Sequence, residues 1–116
     1  MVGFMQISAY GEKFQTIDLK KDGLKDLAFD LVTSIRFMYC AVEHGVRILG
    51  GDILRQEGGK WWPCGDNWYS DASNPQETLQ DALDYLKRYL ASNPHVDWVV
   101  SVVPSDLLEL IGGEKI

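Results

Sequence analysis

The sequence predicts an α+β fold, a mainly antiparallel sheet of about four to five strands covered by two main helices. Three observations predict it. Two long segments, beginning near Leu24 and Asn74, carry apolar residues at steps of three and four. A diglycine, Gly58-Gly59, separates two extended runs as a hairpin turn would. The run Val96–Val103, VDWVVSVV, is apolar on both alternating sets except for Asp97 and Ser101. With 116 residues, 46% hydrophobic and 24% charged, the chain has the length and composition of a single domain over residues 1–116.

In chain order, residues 2–10 alternate, with Met5, Ile7 and Ala9 on one side, and predict a first strand ending at Gly11. Ile17 and Leu19 predict a second short extended piece that stops at the turn KKDG. Leu24, Leu27, Ala28, Leu31, Val32, Ile35, Met38, Tyr39 and Val42 then predict the main helix, over Gly23–His44, capped by Asp22 and ended by Gly45. A strand follows at Val46–Leu49, then a bend at Gly50-Gly51, then a further strand at Asp52–Gln56. The chain is expected to fold back at Gly58-Gly59 and return as Lys60–Cys64, with Pro63 marking an edge or a strand end.

The second helix has the sharper start. In Asn74-Pro75-Gln76-Glu77 the asparagine caps, the proline takes the first helical position and the glutamate can bond back to the cap. Leu79, Ala82, Leu83, Leu86 and Leu90 form its buried stripe, and Pro94 closes it. Val96–Val103 is then an inner strand covered on both faces, and SDLLELIGG predicts a short helix from Ser105 to Gly112.

Charge narrows the range of partners. The formal net charge is −6, and residues 1–60 are balanced, so the whole acidic excess falls in residues 61–116. Such a surface repels nucleic acid and anionic lipid and draws in cationic partners. No segment has the run of about 20 apolar residues a membrane helix needs, so a cytoplasmic protein is expected.

Catalytic and metal chemistries find little support. Cys40 and Cys64 are far apart and in no paired motif, which leaves no disulfide scaffold or zinc ribbon. A Cys64 nucleophile would need His44 or His95 as its base, and both sit at element ends. Cys64, Asp66, Asp71 and His95 are acceptable zinc ligands without ligand spacing. Neither diglycine has a phosphate-loop context, so no cofactor is expected. The carboxylate pairs Asp66/Asp71 and Asp52/Glu57 leave one enzymatic reading, a small carbohydrate-active or other hydrolytic enzyme.

The other reading is a binding surface. Trp61, Trp62, Trp68 and Tyr69 cluster beside Asp66, Asn67 and Asp71, and rigid aromatics among acids anchor cationic protein surfaces. Neighbours in a strand face opposite ways, so one of Trp61 and Trp62 points in and the other out. Trp68 belongs with the inward ring. Candidate contact residues are Asp52, Trp61, Trp62, Asp66, Trp68, Tyr69, Asp71, Asp81 and Asp84.

The stretch ILGGDIL, followed by a turn, GDNWYSD and a capped helix, resembles the small immunity proteins of bacterial polymorphic toxin systems, most nearly immunity protein family 40. The resemblance covers Leu49–Asp71 and the helix after it, on Gly50, Gly51, Asp52, Trp68 and Tyr69. It implies a cytoplasmic, non-enzymatic α+β protein that neutralises the C-terminal domain of a cognate toxin delivered by a neighbouring cell, by contact-dependent inhibition or type VI secretion. It carries over no catalytic residue. The neighbouring gene separates the immunity and enzyme readings; an adaptor of unrelated biology is the third alternative, and pull-down of its partner separates it from both.

Overall fold

The computed structural model describes residues 4–19 and 27–106. Among the described residues six strands form one sheet in the order β1-β2-β3-β6-β4-β5, antiparallel at every pairing. They are β1 (Phe4–Ala9), β2 (Glu12–Ile17), β3 (Ala28–Phe29), β4 (Ile48–Glu57), β5 (Lys60–Tyr69) and β6 (Trp98–Pro104). Helix α1 (Leu31–Glu43) joins β3 to β4, and α2 (Pro75–Ser92) joins β5 to β6. Each helix spans a gap that another strand fills: β6 lies between β3 and β4, and β4 between β5 and β6.

Both helices cover the same face. Phe37, Met38 and Ala41 of α1 and Leu79, Ala82 and Leu86 of α2 share one core with Ile7, Phe14, Phe29, Ile53, Trp68, Trp98 and Val100 from the sheet. The alternate residues of the same strands point the other way, where Ile17, Ala28, Leu54, Trp61 and Val99 form a second cluster with Leu19. Strand β6 feeds both clusters, which is why its sequence is apolar on both sets.

Helix α2 begins where its cap chemistry predicts. Asn74 Oδ1 accepts from Glu77 N at 2.9 Å, Pro75 opens the first turn, and Asn93 ends the helix before Pro94. The buried Thr78 hydroxyl donates to Pro75 O and accepts from Ile48 N at 2.9 Å, pinning α2 to the start of β4. Leu83 is only half-buried and Leu90 is exposed at the stripe's end.

Helix α1 departs from expectation at its start. Asp30 caps it, accepting from Thr33 N at 2.8 Å, and Ala28–Phe29 upstream is a strand, not helix. The steps of three and four through Leu27 and Ala28 are coincidental, because Phe29 is needed in the core with Phe14 and Phe37. With that start the buried stripe runs through Ser34, Phe37, Met38 and Ala41, so Val32 and Tyr39 face outward. The proposed Asp22 cap lies outside the described residues, as does the helix from Ser105 to Gly112 beyond residue 106. The other end holds: His44 is the C-cap and Gly45, at φ 80°, turns the chain.

The Gly50-Gly51 pair does not break the sheet into two strands, since β4 runs unbroken past it. It permits close approach instead. A Cβ at Gly50 would stand 2.5 Å from the Trp68 carbonyl oxygen, and one at Gly51 would collide with the Trp68 ring and the Ser101 carbonyl. Gly58-Gly59 makes the expected hairpin, with φ of 61° and 81°. The returning strand continues past Cys64 to Tyr69, because three residues, Cys64–Asp66, loop out opposite Ile53 before pairing resumes at Asn67.

Candidate functional site: the β5 edge and helix α2

Strand β5 forms one edge of the sheet, so its residues reach the surface on both faces. Trp61 turns to the second cluster and is buried, whereas Trp62, paired with Arg55 on the helix-covered face, is 45% exposed. Trp68 is buried against Gly51 and stacks on Tyr85 of α2 with ring centroids 5.3 Å apart. Its neighbour Tyr69 faces the opposite way and is 79% exposed. One ring of each adjacent pair is therefore core and the other is surface.

Between β5 and α2 runs an aromatic ladder. Trp68 stacks on Tyr85, Tyr85 on Tyr89 at 5.9 Å, and Tyr89 meets Trp98 edge-on at 4.9 Å. The spacing of Tyr85 and Tyr89, one turn apart on α2, places both on the side that faces β5. The Tyr89 hydroxyl donates to Asp66 Oδ2 at 2.8 Å and accepts from Arg55 Nη2 at 2.8 Å. Arg55 also donates to Asn93 Oδ1 at 3.2 Å and pairs with Asp97 Oδ1 at 2.7 Å. Burial, then the hydrogen bond to Asp66, pushes the Tyr89 hydroxyl up to about 12 against the opposing pull of Arg55. Burial and the nearby Asp66 raise Tyr85 as well.

These contacts fix Asp66 at the tip of the looped-out segment, where it is exposed. Asp81 is held from the other end, accepting from the Ser70 hydroxyl at 2.7 Å, and Asp84 accepts from Gln80 at 2.9 Å. Asp71 is exposed in the turn before α2. Among the described residues none of these four carboxylates forms an ion pair; the pairs present are Arg55–Asp97 and Arg36–Glu12.

Asp52 stands apart from them, on the sheet face away from the helices. There it shares a shallow hollow of about 330 Å³ with Leu49, Gly50, Asn67, Tyr69 and Val103. The hollow exists because Gly50 puts no side chain between Tyr69 and Val103, its partners on either side. The predicted residues thus fall into two groups flanking β5: Trp62, Asp66, Asp81 and Asp84 on the α2 side, and Asp52 and Tyr69 on the open face.

Sequence reasoning missed Arg55, Tyr85, Tyr89, Asn93 and Asp97. The Tyr85/Tyr89 spacing was a usable signal, but Arg55 is brought to Tyr89 and Asp97 only by the fold. His95 is exposed, and the described residues contain no group of three or more metal-capable side chains. Nor does any helix among them have the length and apolarity to cross a membrane. Cys40 is buried, donates to Glu12 Oε2 at 2.9 Å, and has its thiol pushed up to about 11 by burial and by that carboxylate, which disfavours the thiolate a nucleophile needs.

The molecule is thus an antiparallel sheet with one helical layer and an edge that presents aromatic and acidic side chains. The family comparison supplies the class of protein. Residues 18–104 match the model of immunity protein 40, and the chain belongs to that family of non-catalytic immunity proteins, toxin inhibitors whose partner is a cognate toxin. Comparison with curated proteins and with solved structures gives no match. The hydrolase reading of the loop carboxylates gives way to this assignment.

Proposed function

We propose that the chain neutralises the C-terminal domain of its toxin by gripping it along β5 and α2 and occluding its active site. The reading rests on one observation: Trp62 and Tyr69 emerge from opposite faces of the same edge strand, and the exposed Asp66 lies in the looped-out segment that separates them along the chain. Asp66, Asp71, Asp81 and Asp84 steer a basic cleft, such as that of a nuclease, towards the strand. The two exposed rings, with Asp52 beside Tyr69, then slow dissociation. Trp61 and Trp68 act from inside, holding β5 so that their neighbours face out. The protein acts in the cytoplasm of the cell it protects.

The test uses the cognate toxin domain, sought in the product of the neighbouring gene. Co-expression should restore growth, and replacing both Asp66 and Asp71 by Asn should slow association several-fold and flatten its dependence on salt. An association rate unmoved by that double substitution would remove those two carboxylates from the surface. Loss of either exposed ring, Trp62→Ala or Tyr69→Ala, should instead speed dissociation, by about thirtyfold for an anchor worth about 2 kcal/mol.

A further inference from the structure

The hairpin of β1 and β2 precedes the residues that match the family and carries the sheet outwards to a second edge. The two edges differ in kind. Strand β5 is a poor template for another strand, because Pro63 lacks an N–H and Cys64–Asp66 leaves the ladder. Strand β1, FMQISA, has no charge and no proline, and its register with β2 is unbroken from Phe4↔Ile17 to Ala9↔Glu12. Among the described residues no strand pairs with its outer side, and regular edges of this sort pair with other strands unless something blocks them.

The turn fixes which backbone groups are available. Tyr10 and Gly11, at φ 57° and 77°, form a two-residue turn, so Ala9 and Glu12 flank it as a hydrogen-bonded pair. By alternation Met5, Ile7 and Ala9 direct their N–H and C=O groups to β2, and the Thr16 hydroxyl adds a bond to the Met5 carbonyl on that inner side. Phe4, Gln6 and Ser8 therefore direct theirs away from the sheet. In an antiparallel approach by a second copy, with Gln6 opposite Gln6, the backbone of Phe4 meets that of Ser8 and every outward donor faces an outward acceptor. The same register sets Met5, 39% exposed, beside the second copy's Ile7 on the helix-covered side.

We propose that β1 is a self-association edge, through which two copies of this chain join antiparallel about Gln6 into one continuous sheet. A second copy suits the edge better than an unlike strand for two reasons. The register is its own symmetry mate, as a two-fold dimer requires. In a chain of net charge −6, an uncharged strand is also where two copies approach with least repulsion.

Sedimentation of the full chain over a concentration series tests this. The average mass should climb from one chain towards two. Gln6→Pro deletes an outward N–H without touching the bonds to β2, and should stay monomeric with an unchanged circular dichroism spectrum. Gln6→Lys and Gln6→Glu place like charges opposite each other, so each should be monomeric alone, while an equimolar mixture should dimerise and lose that dimer as salt is added. The charge-swap pair decides the matter if the proline variant misfolds. A wild type that is monomeric throughout, a dimer indifferent to all three substitutions, or a mixture that fails to associate would overturn the proposal.

Discussion

Replacing Gly51 by alanine adds one methyl group at the most crowded point of the sheet. The new carbon would collide with the Trp68 ring on one side and the Ser101 carbonyl on the other. Neither can yield easily. Ser101 belongs to the inner strand β6, and Trp68 is backed by Tyr85 at 5.3 Å. Overpacking of this kind costs about 1–3 kcal/mol, and the rigidity of both neighbours argues for about 3. That is a large part of the roughly 5–15 kcal/mol of a typical domain. In urea the midpoint should fall by about 1–3 M, given a slope of about 1–3 kcal/mol/M. Gly65→Ala is the control: nothing stands within 4 Å of its Cβ position, but φ is 91°, so it should show only the backbone cost of about 1–2 kcal/mol. A Gly51→Ala loss below about 0.5 kcal/mol would refute the claim that Trp68 is pressed onto the strand.

Other consequences are open to direct measurement. Tyr89→Phe removes the hydroxyl shared by Arg55 and Asp66, and should lower stability by about 1 kcal/mol in the same urea assay. Asn74→Ala removes the cap on Glu77 N and should also cost about 1 kcal/mol. In native protein a thiol reagent should modify exposed Cys64 quickly and buried Cys40 slowly, whereas in urea both should react. Because the fold raises Cys40 from 9.0 to about 11, the unfolded chain releases that proton first. Its contribution to stability is complete below pH 9 and is lost as the pH rises towards 11. Unfolding measured across that window should show the decline, and Cys40→Ala should make it shallower.

What could be read in advance was whatever local chemistry decides. The cap and proline at Asn74-Pro75 fix the start of α2 within a single turn of chain, and Gly58-Gly59 specifies a tight reversal by backbone conformation alone. The start of α1 was misread because periodicity counts spacing and does not see Phe29 claimed by the sheet. At the β5 edge, pairing could say that Trp61 and Trp62 part company but not which goes inward, since that depends on the register with β4. The Arg55–Tyr89–Asp66 chain was beyond reach, because its members meet only after α2 has docked on β4 and β5.

The position of β6 has a consequence for how the molecule is born. Until Trp98–Pro104 has left the ribosome, β3 and β4 have no ladder between them, and the sheet exists only as two unconnected halves. Neither half can complete the shared core, so the nascent chain must wait for Trp98, Val100 and Val102 before that core closes. A cell that makes this immunity protein is thus guarded by finished molecules alone.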